Sequence, residues 1–153
     1  GNNVCTSLLF ICAKLGINMA IASPQGYEPP KEVLTTAEEF AAETGSGILV
    51  TNDPHKAVAG AQALYTDVWT SMGQEGEAEA RLRVFRPYQI DQELVSLAAA
   101  DAIVLHCLPA HRGEEISAEV IDGPQSVVFD QAENRLHAQK ALLEFLLVGS
   151  RHS

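Results

Sequence analysis

Short apolar runs alternate with amphipathic segments along the whole chain. The apolar runs are too short for helices, and one of them ends at the turn-forming pair Ser23-Pro24, so they predict buried strands. The segments between them carry apolar residues on one side at helical spacing. This alternation is typical of βαβ units. It predicts an α/β fold, a doubly wound parallel sheet with helices on both faces.

Capping residues set several of the predicted boundaries. Gly16 and Gly45 favour helix ends, and Asp53-Pro54 favours a helix start. The predicted helices cover residues 4–15, 31–43, 54–59, 91–100 and 133–148. The predicted strands cover residues 17–22, 48–51, 63–66, 102–105 and 127–129. The polar residues 74–86 are predicted to form a loop leading into a helix.

The two ends of the chain give two further expectations. The last predicted helix should be buried through its large apolar side chains, which are Leu136, Leu142, Leu143, Phe145, Leu146 and Leu147. The chain opens directly into a helix, whereas a doubly wound sheet normally supplies a strand first. We therefore expect the first strand to be missing and the chain to be a fragment.

Composition narrows the class of protein. The 153 residues have the length of one domain, covering 1–153, and the 46% hydrophobic content can bury a core. The formal net charge of −10 argues against nucleic acid or an anionic membrane as the main partner, because both require clustered Lys and Arg.

The cysteines indicate a reducing compartment. Cys5, Cys12 and Cys107 are odd in number and match no disulfide framework, so free thiols are expected. The apolar segment 4–15 is too short and too polar to cross a bilayer and lacks the basic flank of a signal peptide. A cytoplasmic protein is the expectation.

Three motifs each follow a predicted strand. They are DVWTSMG at residues 67–73, HCLPAHRGEE at 106–115 and FDQAENR at 129–135. Ligands of parallel α/β sheets bind outside the carboxyl ends of the strands. The three motifs are therefore expected to converge on one edge of the sheet.

The first motif favours recognition of an amine. Asp67 can pair with an ammonium group, and Ser71 can hydrogen-bond the same ligand. The alternative is a helix-capping Asp followed by a structural loop. Trp69 is interpreted as a packing residue.

The second motif places an imidazole and a thiol at a strand end. A zinc site from His106, Cys107 and His111 lacks a second ligand cluster of the usual spacing. A Cys–His nucleophilic pair is disfavoured because adjacent strand residues point to opposite faces. A buried Cys and a hydrogen-bonded core His remain as the structural alternative.

Charged and amide residues elsewhere leave alternatives open. Residues 1–3, Gly-Asn-Asn, can bind an anion at a helix N-terminus or supply an ordinary Asn cap. Arg135 can clamp a phosphate or carboxylate, or form a surface pair with Glu133. Arg112, Glu114 and Glu115 are interpreted as a solvated loop.

Taken together, these motifs resemble ornithine carbamoyltransferases, specifically their carboxyl-terminal, ornithine-binding domain. The resemblance extends from GNNV (1–4) through ASPQGYEP (22–29) and TNDP (51–54) to AENRLHAQKALL (132–143). The SMG triplet and the cysteine of HCLP favour ornithine over the substrates of aspartate and putrescine carbamoyltransferases.

The resemblance implies specific contacts with ornithine. Asn3, Ser71 and Met72 would hold its amino-acid end, and Asp67 would meet its α-ammonium group. The segment from Asp67 onward would belong to a loop that closes on ornithine.

The resemblance also implies contacts with carbamoyl phosphate. Cys107 and Leu108 would lie between the two substrates, and Arg135 would help bind carbamoyl phosphate. The reaction would need no metal and no organic cofactor. Cys107 is a hypothetical partner in proton transfer, because the attacking amine must first become neutral.

The family's carbamoyl-phosphate domain has no counterpart in these residues. Its Ser-Thr-Arg-Thr loop and His-Pro-x-Gln motif are absent from the sequence. The chain alone is therefore expected to be inactive and to bind ornithine weakly, although the parent is expected to be a homotrimer or a multiple of one.

Two other functions compete with this interpretation. One is a non-catalytic α/β ligand-binding or regulatory module derived from the same fold. The other is a generic nucleotide-binding domain, which is weakest because no G-x-G-x-x-G follows a strand. The sequence leaves open whether the parent acts in arginine synthesis or breakdown.

Overall fold

The computed structural model describes residues 2–70 and 78–148. Helices and short strands alternate along these residues, as the apolar pattern predicts. The helices are α1 Asn3–Leu15, α2 Lys31–Thr44, α3 Pro54–Val58, α4 Ala78–Phe85, α5 Gln92–Ser96, α6 Ala118–Ile121 and α7 Val128–Val148. The strands are β1 Met19–Ala22, β2 Ile48–Thr51, β3 Ala63–Thr66 and β4 Ile103–His106.

All four strands pair in parallel, which confirms the α/β class. In the described residues they form two two-stranded sheets, β1 with β2 and β3 with β4, rather than one continuous sheet. In the second sheet the pairing runs from Ala63 opposite Ile103 to Thr66 opposite His106. The two strands therefore end level with each other, which places the residues that follow them side by side.

The apolar core is correspondingly divided. The larger cluster surrounds β3 and β4 and includes Leu64, Val104 and Ile116, and a smaller one joins α1, β1 and α2 through Leu9, Ile21 and Ala37. Burial of these side chains provides the main driving force for folding. The larger cluster includes one residue from each of these two strands, Leu64 of β3 and Val104 of β4.

Local capping signals give the predicted boundaries. Gly16 has φ 74° and Gly45 has φ 77°, the left-handed conformation that ends α1 and α2. Asp53 accepts hydrogen bonds from the backbone N–H groups of His55 and Lys56 at the start of α3.

Two predicted elements differ in the structure. The predicted strand 127–129 is wrong, because α7 already begins at Val128. Only the residues just before α7 bridge to β4. Val104 donates its N–H to Gln125 O, and Val127 donates its N–H to Val104 O. The predicted helix 91–100 is also shorter, with α5 covering Gln92–Ser96 and Asp91 as its N-cap.

The apolar side chains of α7 are exposed, contrary to the prediction that they are buried. In α7 only Val128, at its first turn, is buried. The exposed set is Phe129, Leu136, Leu142, Leu143, Phe145, Leu146, Leu147 and Val148. Within the described residues, no helix has both the length and the apolar character needed to cross a bilayer.

Replacing a core side chain should test the larger cluster. Ile116 is 0% exposed, so Ile116→Ala should lower the free energy of unfolding by about 2–5 kcal/mol. Ile11 of α1 is 49% exposed, and Ile11→Ala should change it by no more than about 0.5 kcal/mol. Urea denaturation of both variants measures the difference; equal losses would contradict the assigned core.

Candidate functional site

Asp67 and Cys107 meet at the level ends of β3 and β4. Each residue directly follows its strand, because Thr66 pairs with His106. The Cys107 thiol donates a hydrogen bond to Asp67 Oδ1 over 2.9 Å. Two of the three predicted motifs therefore converge through a direct side-chain contact.

Neutral donors surround the Asp67 carboxylate. Besides the thiol, Oδ1 accepts the backbone N–H of Val68 at 2.8 Å, and Oδ2 accepts the Asn2 side-chain amide at 2.5 Å. A carboxylate has roughly four acceptor positions, so about one remains for a further donor. In the described residues, Asp67 forms no ion pair with a cationic side chain.

The Cys107 thiol is held in its protonated form. Burial, followed by the hydrogen bond to Asp67 and the negative charge of that carboxylate, raises the pKa of Cys107 to about 12. A free cysteine has a pKa of about 8.5, so the Cys107 thiol ionises much less readily than a free cysteine. Cys107 in this environment is a hydrogen-bond donor rather than a thiolate.

Asn2 provides the side-chain contact between the start of α1 and Asp67. Asn2 caps the helix by accepting the N–H of Cys5 at 2.8 Å, while its amide N–H donates to Asp67. Asn3 is exposed at the first helical position. The predicted helix cap is thus confirmed, and the same residue also contacts the site. The sequence alone does not indicate which of the two consecutive asparagines, Asn2 or Asn3, caps α1 and contacts Asp67.

His106 is a hydrogen-bonded histidine of the core. This agrees with the structural alternative that the sequence left open for the second motif. It is 1% exposed, and its Nε2 lies 3.0 Å from Glu115 Oε1. The prediction that Glu115 lies in a solvated loop is wrong, because this side chain is 0% exposed. His106 faces Glu115 whereas Cys107 faces Asp67, so the two neighbours form no nucleophilic pair, as predicted.

Gln131 of the third motif was not singled out from the sequence. Its side-chain oxygen accepts the N–H of His106 at 3.0 Å, and its amide donates to the Tyr65 hydroxyl at 2.9 Å. Gln131 therefore joins α7 to the ends of both β3 and β4. Its position within FDQAENR, just after an apolar run, was the available signal.

Arg135 lies one helical turn beyond Gln131, on the same face of α7. Its side chain is exposed and forms no hydrogen bond or ion pair with another described residue. Glu133 pairs with His137 instead. The structure thus places Arg135 along the face that reaches the strand ends, without a contact to Asp67 or Cys107.

The remaining predicted residues are only partly described. Leu108 follows Cys107 in the left-handed conformation, with φ 54°. Trp69 is buried and packs against Phe85, as predicted for a packing residue. Ser71 and Met72 lie outside the described residues, as do residues 73–77 of the predicted loop.

One group of described side chains has the geometry to hold a cation. The ligand atoms of His111, Glu114 and Glu115 lie within 4.8 Å of one another. Glu115 Oε1, however, already accepts hydrogen bonds from His106 and from the N–H of His111. No second feature points to a metal, and we assign none to this group.

Comparison with known proteins gives the family. Residues 1–146 match the family model described as the Asp/Orn-binding domain of aspartate/ornithine carbamoyltransferase. The chain belongs to this family. The chain is 62% identical over 147 residues to the ornithine carbamoyltransferase of Methanothermobacter thermautotrophicus, covering 96% of this chain and 49% of that protein.

Solved structures agree with the family assignment. The chain superimposes on ornithine carbamoyltransferase from Pyrococcus furiosus with a TM-score of 0.93 at 54% identity, covering 99% of this chain and 48% of that one. It also matches an acetylornithine transcarbamylase complexed with acetylcitrulline, with a TM-score of 0.79 at 28% identity, covering 91% of this chain and 42% of that one. The chain therefore spans about half the length of these relatives.

Removing the Asp67 charge should make Cys107 more reactive. Asp67→Asn removes the carboxylate that helps to raise the thiol pKa, so the pKa should fall and the alkylation rate at pH 8–9 should rise. Iodoacetamide labelling, with mass spectrometry to separate Cys107 from Cys5 and Cys12, measures this rate. The exposed Asp101→Asn variant is the control and should leave the rate unchanged. An unchanged Cys107 rate in Asp67→Asn would contradict the coupling.

Proposed function

We propose that the chain is the ornithine-binding half of an ornithine carbamoyltransferase. This enzyme transfers the carbamoyl group of carbamoyl phosphate to the δ-amine of ornithine, giving citrulline and phosphate. The supporting observation is the Asp67–Cys107 hydrogen bond at the level ends of β3 and β4, in a chain 62% identical to a known ornithine carbamoyltransferase.

The charge around Asp67 suits a cationic amino acid. Its carboxylate is held by neutral donors and keeps about one acceptor position, which an ammonium group of ornithine can fill. In this proposal Asp67 binds the α-ammonium group, while Asn3, Ser71 and Met72 hold the rest of the amino-acid end. Asn2 holds the carboxylate by donating a hydrogen bond to Asp67 Oδ2.

The chemical step requires a neutral amine. The δ-nitrogen attacks the carbonyl carbon of carbamoyl phosphate, a C–N bond forms, the bond from that carbon to the phosphate oxygen breaks, and the nitrogen loses one proton. Because Cys107 already carries its proton, it can accept another only by passing its own to Asp67. We therefore assign Cys107 to the proton transfer together with Asp67.

The carbamoyl phosphate side of the site is assigned to three residues. Cys107 and Leu108 lie between the two substrates in this proposal, and Arg135 offsets the charge of the phosphate and of the developing oxyanion. Arg135 has no acidic partner among the described residues, so its guanidinium is available for an anion. The reaction proceeds with neither a metal nor an organic cofactor.

The exposed apolar side chains of α7 suit contact with the other half of a longer protein. A large patch of exposed apolar side chains is unusual for a surface in water and marks an interaction site. Relatives are about twice as long as this chain, so the proposed occupant is their remaining half, a carbamoyl-phosphate domain. We also propose that the parent is a homotrimer or a multiple of one. We further propose that it is cytoplasmic, since its three cysteines are free thiols.

Joining the chain to the other half of a relative tests the proposed activity. The joined protein carries residues 1–153 in place of the matching half of the Methanothermobacter enzyme. It should form citrulline from ornithine and carbamoyl phosphate, and residues 1–153 alone should not. In the joined protein Asp67→Asn should raise the KM for ornithine by about 10–100-fold, because a hydrogen bond to a charged group is lost.

Two controls accompany this assay. The exposed Asp101→Asn variant should keep the KM unchanged. A folded joined protein that binds carbamoyl phosphate but forms no citrulline would refute the proposal and favour a non-catalytic module. Turnover by residues 1–153 alone would refute the expected inactivity of the isolated chain.

A charge placed on α7 should act only when the other half is present. Leu143→Asp should lower the thermal midpoint of the joined protein, because burying an unpaired carboxylate in an apolar contact is unfavourable. In residues 1–153 alone, where Leu143 is exposed, the midpoint should change little. Differential scanning calorimetry measures both. Ala42→Asp, at an exposed position of α2, is the matched control. Equal shifts of the midpoint by Leu143→Asp in both proteins would contradict a contact between α7 and the other half.

A further inference from the structure

A fully buried acid and a buried imidazole are linked by hydrogen bonds to the Cys107–Leu108 segment. His106 is the last residue of β4, and Glu115 belongs to the loop that follows, nine residues along the chain. Both side chains are 0% exposed. Burying a carboxylate is costly unless several donors satisfy it, so this pair requires an explanation beyond packing.

The hydrogen bonds fix the protonation of the imidazole. Leu108 donates its backbone N–H to His106 Nδ1 at 2.9 Å, so Nδ1 carries no proton. The proton therefore lies on Nε2, which donates to Glu115 Oε1 at 3.0 Å. His111 donates its backbone N–H to the same oxygen at 2.6 Å. The ring is neutral and serves as an acceptor for the backbone of the site.

The acid is kept ionised in this arrangement. Burial acts to raise the pKa of Glu115, but the hydrogen bonds from His106 and His111 outweigh it and hold the pKa below its usual value. Oε2 of Glu115 has no hydrogen-bond partner among the described residues, and it lies 3.8 Å from His111 Nδ1. The ionised acid favours the tautomer that carries its proton on Nε2.

The backbone on both sides of Cys107 is held by this network. Gln131 accepts the N–H of His106 before it, and His106 accepts the N–H of Leu108 after it. Leu108 has φ 54°, a left-handed conformation that is unfavourable for a residue with a Cβ atom. The hydrogen bond to Nδ1 stabilises this conformation and thereby sets where the Cys107 thiol and the Leu108 backbone point.

We propose that Glu115 and His106 act in sequence as positioning residues: the buried carboxylate fixes the imidazole, and the imidazole fixes the Cys107–Leu108 backbone against the reacting groups. This inference rests on the proposed carbamoyl transfer. Neither residue touches substrate in it. A displacement of reacting groups by about 1 Å can reduce a rate by about 100-fold, so the effect should appear in kcat.

Two substitutions of His106 separate the two hydrogen bonds. His106→Asn keeps an acceptor for the Leu108 N–H, because an Asn side-chain oxygen commonly binds the N–H two residues later. His106→Gln reaches toward Glu115 but places no acceptor at the Nδ1 position. In the joined protein, His106→Gln should reduce kcat by at least 10-fold more than His106→Asn, with similar KM values for ornithine.

The Glu115 variants test the other link. Glu115→Gln retains an oxygen for both donors and should keep most of the activity that Glu115→Ala loses. His111→Asn, which leaves the His111 backbone N–H in place, is the control and should keep the wild-type kcat. Thermal unfolding of every variant gives the folded fraction, to which kcat is normalised. Equal kcat losses in His106→Gln and His106→Asn, or normal kcat in both, would overturn the proposal.

A second readout is independent of the enzymatic activity. The alkylation rate of Cys107 by iodoacetamide should change in His106→Gln and Glu115→Ala and stay near the wild-type rate in His106→Asn. If wild-type joined protein forms no citrulline, the proposed function fails while this readout still tests positioning. Unchanged alkylation in folded His106→Gln would overturn the positioning role even if the enzyme is active.

Discussion

The parallel pairing of β3 with β4 is the constraint on which the site depends. Because Thr66 lies opposite His106, the next residues, Asp67 and Cys107, emerge side by side at the same edge. A shift of one residue in a strand turns its side chains to the opposite face, so a slipped register would separate the carboxylate from the thiol. The core beneath, which includes Leu64 and Val104, holds the two strands in this register.

Other elements reach the same edge through polar contacts rather than through the sheet. Asn2 brings the start of α1 to Asp67, and Gln131 brings the start of α7 to His106 and Tyr65. Each of these amides serves the fold and the site at once. A substitution at either position should therefore affect both stability and the geometry of Asp67 and Cys107.

The features predictable from sequence are those that depend on local signals. Gly16 and the Asp53-Pro54 pair fix helix ends through backbone conformation and capping, which involve only neighbouring residues. The placement of Asp67 and Cys107 at strand ends follows from the apolar runs that precede them. The parallel topology then makes their convergence predictable, because carboxyl ends of parallel strands share an edge.

The features that sequence reasoning missed depend on distant partners. Glu115 is charged and lies among polar residues, so its sequence neighbours predict a solvated side chain. Its burial requires His106 and the backbone of His111 as donors. The leucines of α7 follow the pattern of a buried helix, yet nothing in the described residues covers them. Hydrophobicity shows that a side chain favours burial without showing which molecule provides it.

The charges of the site have a common character. Asp67 is held by an amide, a backbone N–H and a thiol, all neutral, so its negative charge is oriented but not cancelled. Arg135, on the face of α7 that Gln131 shares, has no acidic partner among the described residues.

By contrast, Arg112 and Asp122 on the surface pair with each other and leave little attraction for a ligand. A fixed cation beside Asp67 would compete with an incoming ammonium, and a fixed acid beside Arg135 would compete with a phosphate. Because Asp67 has only neutral neighbours and Arg135 has no acidic partner among the described residues, both charges can still attract the oppositely charged substrates of the proposed reaction.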